Sequence, residues 1–309
     1  MKGVLLLKKW ILSLSGGLVI GIIISTIMYE NQTHVAVPQS NLPKVEQENA
    51  QQNQTNGLRP VTYEQISYSL QNEELNITYN KGEDWVRVPI EKDSLFVGEY
   101  NGSKDELIPG SYIFSDARVG FIYGTDSILF KFSRDHGVTW QEGVISKNFP
   151  YVRYRKVDFL NDQFGYAVLT GDRTMSQEFS AVFLTHDGGI TWDETTTPPS
   201  TRIIADGGFI DENTGFMSYG TINPDKPDLY VTQDGGQTWH ASVIEIPEQY
   251  DLIFVQAELP IREEDHLSLL INQGSNGDYA GGKVKGKFIS KDNGLTWSFA
   301  MEVQPNEAE

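Results

Sequence analysis

Arginines and carboxylates are the residues best suited to chemistry in this chain. The arginines are densest in YVRYRKVDF, residues 151–159. Strand alternation there sets Arg153 and Arg155 on one face and Val152, Tyr154 and Lys156 on the other. Arg202 begins the corresponding strand of the following repeat. Guanidinium groups gathered in this way grip an anionic group bidentately, so Arg153, Arg155 and Arg202 are the candidate ligand-binding residues. The competing reading pairs them with acids of neighbouring strands. Acids are abundant: Asp and Glu number 42 against 24 Lys and Arg, for a net charge of −18.

Other reactive sets are excluded or diffuse. The absence of cysteine (Cys 0) rules out disulfides, thiol nucleophiles, cysteine-ligated zinc and an N-terminal lipidated cysteine. His34, His136, His186, His240 and His266 are scattered, and His136, His186 and His240 fall in or beside turns, so no metal site is expected. Neither a G-x-S-x-G elbow nor a phosphate-binding glycine loop occurs, and the glycine-rich run 274–287 reads as a hairpin loop. No cofactor and no individual catalytic residue emerge. The acidic balance repels phosphate backbones, which argues against a nucleic-acid partner.

The elements that must position these residues are set by an internal repeat. SRDHGVTW (133–140), THDGGITW (185–192), TQDGGQTW (232–239) and SKDNGLTW (290–297) are nearly superimposable. A fifth, TYNKGEDW (78–85), keeps Gly82 and Trp85 and places Asn80 where the others have aspartate. The pattern S/T-x-D-x-G-x-T-W reads as a hairpin whose turn is stapled by its own side chains. Asp135, Asp187, Asp234 and Asp292 accept backbone N–H bonds across the turn. Gly137, Gly189, Gly236 and Gly294 take the positive φ that closes it. Trp140, Trp192, Trp239 and Trp297 bury their rings against a neighbour.

A second motif precedes three of the boxes: FSDARVGF (114–121), FLNDQFGY (159–166) and FIDENTGF (209–216). Each supplies strand, polar turn and strand. With the box hairpin this makes four antiparallel strands per repeat, placed in the third repeat near 152–159, 165–169, 180–185 and 191–195. Four-stranded sheets at this period predict an all-β propeller over residues 61–305, with a tail at 306–309. Five boxes favour five blades. The first repeat has room for about three strands, and the boxless stretch 91–110 leaves a sixth blade open.

The paired motifs resemble those of BNR or Asp-box propellers over roughly residues 62–303. They are most similar to the photosystem II assembly and stability factor type, and more distantly to sialidases. The first resemblance implies a non-catalytic binding or assembly role for a protein or cell-envelope component, with the boxes as rim staples away from the ligand face. The second implies an extracellular glycoside hydrolase with three converging arginines, a Tyr–Glu pair, an acidic proton donor and an arginine segment before the first box. The nearest string to that segment, VRVP (86–89), follows the first box instead, which sets the chain apart from sialidases.

At the amino terminus Lys2, Lys8 and Lys9 precede the uncharged run from Trp10 to Tyr29. About 20 apolar residues match a bilayer core, and the flanking charges leave the N-terminus in the cytoplasm and the rest outside. Residues 1–29 are therefore expected to form a cytoplasmic stub and a transmembrane signal-anchor, with cleavage near Ala36 and secretion as the alternative. Residues 30–60, rich in Gln, Asn, Glu and Pro, read as a disordered polar linker. The expected partners are the membrane, through this helix, and a protein or glycan on a propeller end face. Oligomeric state is left open.

Overall fold

A computed structural model describes residues 57–305 apart from 63, 125 and 126. The expected anchor, most of the linker and the C-terminal tail lie outside the described residues. The described residues from Leu58 onward belong to one compact unit built from five sheets, antiparallel throughout except for one parallel pairing in the fifth.

The first sheet holds β1 (Ser67–Ser69), β2 (Glu74–Thr78) and β3 (Val86–Glu91). The second holds β4 (Tyr112–Phe114), β5 (Val119–Gly124), β6 (Ile128–Ser133) and β7 (Gln141–Ser146). The third holds β8 (Val152–Phe159), β9 (Gly165–Gly171), β10 (Phe179–Thr185) and β11 (Asp193–Glu194), each close to its expected place. The fourth runs through β12 (Ile204–Phe209), β13 (Gly215–Tyr219), β14 (Asp228–Thr232) and β15 (His240–Ala241). The chain then adds β16 (Val243–Glu245), which pairs in parallel with the outer strand of the fifth sheet. That sheet continues with β17 (Gln256–Ala257), β18 (Ile261–Arg262), β19 (Leu267–Asn272), β20 (Lys285–Ser290) and β21 (Thr296–Val303). Of residues 91–110, considered for a further blade, Glu91 ends β3 and the rest contain one 3-10 turn at Lys92–Phe96 and no strand of their own.

Successive sheets pack face to face, because alternate residues of both faces are apolar. Leu75, Ile77 and Val88 of the first sheet meet Val119 and Phe121 of the second. Phe130 and Phe132 of the second meet Val157, Leu169 and Phe183 of the third. Tyr166 and Val168 of the third meet Met217 and Tyr219 of the fourth, and Val231 of the fourth meets Leu269 and Phe288 of the fifth.

Four boxes close by one hydrogen-bond pattern, and the first by a variant of it in which the Asn80 side-chain amide donates to Asp84. In the third repeat the Thr185 hydroxyl donates to Asp187 (2.9 Å) and accepts the Gly189 amide (2.8 Å), while the Thr191 amide and hydroxyl donate to the same carboxylate at 2.9 and 2.6 Å. Asn80 serves in the first box, accepting from Thr78 and from the Asp84 amide. Gly189 has φ +102°, and a Cβ there would lie 2.9 Å from the Phe130 ring, so both conformation and space demand glycine. The preceding position is also left-handed, at Lys81, His136 and Asn293 as well as Gly188 and Gly235. Four of the five box tryptophans pack between their own sheet and the preceding one: Trp140, Trp192, Trp239 and Trp297 belong to the four successive core clusters.

The staples make stability acid-sensitive. The Thr139 hydroxyl holds the Asp135 carboxyl down to about 2. At Asp187 burial pushes upward, but the Thr191 hydroxyl and amide outweigh it and the group also falls to about 2. Each folded-state pKa lies below the ordinary 3.8. The stabilisation is therefore complete above that value and is lost as pH falls toward about 2. The urea midpoint is expected to drop between about pH 5 and about pH 2, less steeply in Asp187→Asn. A flat midpoint across that window would show that the staples do not stabilise the fold.

Candidate functional site

The two ends of the stacked sheets differ in kind. Box turns and the turns of the second motif share one end: the Gly188 amide donates to Gln163 O (2.8 Å) and the Gly235 amide to Asn213 O (2.9 Å). Arg118 and Arg134 reinforce this end by donating together to Asp162 O at 2.8 and 3.0 Å. Arg118 also stacks 3.6 Å from the Phe159 ring centroid, and burial lowers its guanidinium to about 10. The loops that follow β5, β9, β13 and β19 therefore lie at the opposite end.

Arg153 and Arg155 stand on β8 of the third sheet, whereas Arg202 does not begin a strand as expected but precedes β12, bridging to Gln177. A bulge between Val152 and Tyr154 breaks the alternation of β8, so Arg153 and Arg155 do not share a partner surface as the sequence implied. Arg153 Nε and Nη2 donate to Glu178 Oε2 and Oε1 at 2.5 and 2.7 Å. Arg155, 1% exposed, instead donates to the carbonyls of Leu95 and Val97, which pins the 92–110 connection against β8. It is enclosed by protein, and burial lowers it to about 10. Arg202 donates to Asp228 at 3.1 Å. The structure thus distributes the three arginines among three separate structural partners.

Glu178 is the residue that sequence reasoning missed here. Its side chain is fully buried, and besides Arg153 it accepts the Ile204 amide (2.7 Å) and the Thr170 hydroxyl (2.9 Å). A single carboxylate therefore joins β8, β9 and β12. Asp206 plays a parallel part, accepting Lys156 Nζ at 2.7 Å and the Tyr154 hydroxyl at 3.0 Å. Glu178 lies in no motif, and its partners Thr170, Arg153 and Ile204 are 8, 25 and 26 residues away in the chain.

Tyrosine–glutamate pairs do occur. Tyr250 and Tyr279 both donate to Glu302 Oε1, at 2.7 and 2.8 Å, and Tyr123 donates to Glu142. These bonds hold Glu302 below the usual carboxylate range and push Tyr250 up to about 12. The phenols are donors there, held in the protonated form. Arg87, Arg173 and Arg262 pair individually with Glu74, Glu99 and Asp211 instead. Arg87, in the VRVP string, is part of a cross-strand pair on the first sheet.

The described residues thus form an all-β protein of successive sheets, each closed at its last antiparallel hairpin by a stapled Asp-box turn. Residues 230–241, which contain the whole fourth box, match the BNR/Asp-box repeat family. No curated protein matches the chain. Among solved structures, a GH74 xyloglucanase from Xanthomonas campestris is similar at 12% identity and a TM-score of 0.42, over 79% of this chain and 38% of the xyloglucanase. A putative glycosidase from Bacteroides thetaiotaomicron aligns at 13% identity and a TM-score of 0.37, over 80% of this chain and 82% of its own. A protein of unknown function from Dyadobacter fermentans gives 14% identity and a TM-score of 0.38, over 79% and 73% of the two chains.

Proposed function

We propose that this chain is a non-catalytic binding module, carried outside the membrane on its polar tether, which contacts a protein or cell-envelope component through an end face. One observation supports this reading above others. The cations of β8, where a converging arginine set was expected, are consumed by Glu178 and by the carbonyls of Leu95 and Val97. Charges neutralised within the fold have little left to offer the developing charge of a reacting substrate.

The competing class is a glycoside hydrolase, favoured by the two phenols that converge on Glu302. Incubating the full chain with fluorogenic sialosides and a panel of aryl glycosides separates the two. The binding reading predicts release of fluorophore at the buffer rate. Turnover that disappears in Glu302→Gln or Arg153→Ala would overturn it.

A further inference from the structure

A cleft of about 250 Å³ opens between the loops that follow β13 and β19, at the end opposite the boxes. We infer that it is a binding site for a single neutral pyranose ring. Its walls come from two sheets and are joined by a side-chain bond: Asn276 Nδ2 donates to Asn223 Oδ1 at 3.0 Å. This bond leaves an acceptor on Asn276 and a donor on Asn223. Deeper in, Gln273 is held by its own amide nitrogen, which donates to Tyr279 O and Val284 O at 3.0 and 2.9 Å. Its Oε1 is buried without a protein partner. Unmet acceptors of this kind call for a hydroxyl donor.

The remaining lining fixes the ligand's charge and size. Asp278 is the one charged residue of the lining, so the cleft offers no cation to a carboxylate or a phosphate. Leu252 and Val255 supply an apolar wall suited to the C–H face of a sugar. The volume is below the ~300–1,000 Å³ of pockets for drug-sized ligands, which limits occupancy to about one ring. The backbone around it is strained in an unusual way. Leu252 is 69% exposed at φ +60° and Asn223 sits at φ +43°, outside any Asp box. A bulky residue held left-handed on the surface costs free energy that packing does not repay, and such strain collects at ligand clamps.

Tyr279 lines the cleft and also donates to Glu302, the carboxylate that favours the hydrolase reading, so the test reads binding of a sugar that carries no cleavable aglycone and leaves turnover to the fluorogenic assay. Saturation-transfer NMR would use the full chain in a detergent without a sugar headgroup, with neutral methyl pyranosides at about 10 mM, a weak-binding range. Transfer is expected from at least one neutral pyranoside and not from glucuronate. Asn223→Ala and Asn276→Ala, both at exposed positions, are expected to weaken binding about fivefold each, the loss of one net hydrogen bond, with unchanged near-UV circular dichroism. The proposal is overturned if no neutral pyranoside shows transfer, if glucuronate or glucosamine alone does, or if both variants bind as the parent does.

Discussion

Trp297→Ala is expected to lower unfolding free energy by about 3–5 kcal/mol, the range for removing a fully buried aromatic side chain. Trp297 is 1% exposed, packs against Phe216 of the fourth sheet and donates its indole N–H to Gly294 O at 2.9 Å. It therefore closes the fifth box and fills the boundary between the last two sheets at once. Trp239 occupies the same place in the preceding box but is half-buried, and donates to Thr196 O just beyond β11 of the third sheet instead of to its own turn. Its replacement by alanine is expected to cost about 1–2 kcal/mol. Urea unfolding of the two variants at one pH checks the pair. Equal losses would mean that the boxes contribute as isolated turns and that packing between sheets adds nothing.

Glu178→Ala has an expected cost of about 3–5 kcal/mol, because removing one partner of a buried ion pair leaves the rest uncompensated. Arg153, the Ile204 amide and the Thr170 hydroxyl would all lose their acceptor. Glu178→Gln retains an acceptor oxygen but not the charge, and is expected to fall between the parent and the alanine variant. Denaturant midpoints at constant m check the ordering. If Glu178→Ala unfolds at the parent's midpoint, the carboxylate is not the tie that joins the third and fourth sheets.

The sheets were legible because the repeat encodes its own turns. The aspartate, glycine and threonine of each box are all local partners of one another, so the hairpin follows from eight residues, as in Thr185–Trp192. The Asx turns of the second motif are local in the same sense, with Asn161 and Asp211 accepting amides two and three residues ahead. The roles of the arginines were not legible. Alternation predicted a shared face, but the bulge at Arg153 is set by pairing with β9. Glu178 and the Leu95 and Val97 carbonyls lie 25 to 60 residues from the arginines they bind. Nothing in local sequence marks such partners. The left-handed residue ahead of each box glycine was visible in part, as Gly or Asn in three of the five boxes, while His136 and Lys81 hide it. The 91–110 stretch was open to two readings because its length fits strands as well as a connection.

The charges of β8 are tied into the fold, Arg153 to Glu178, Arg155 to the Leu95 and Val97 carbonyls and Lys156 to Asp206. Whether the first of these ties stabilises the protein is measured by a double-mutant cycle with Arg153→Met and Glu178→Leu in urea unfolding. A coupling of about 2 kcal/mol or more is expected, with the double variant more stable than Glu178→Leu alone. A coupling near zero, with Arg153→Met as stable as the parent, would contradict it and return Arg153 to the set of residues free to meet a ligand.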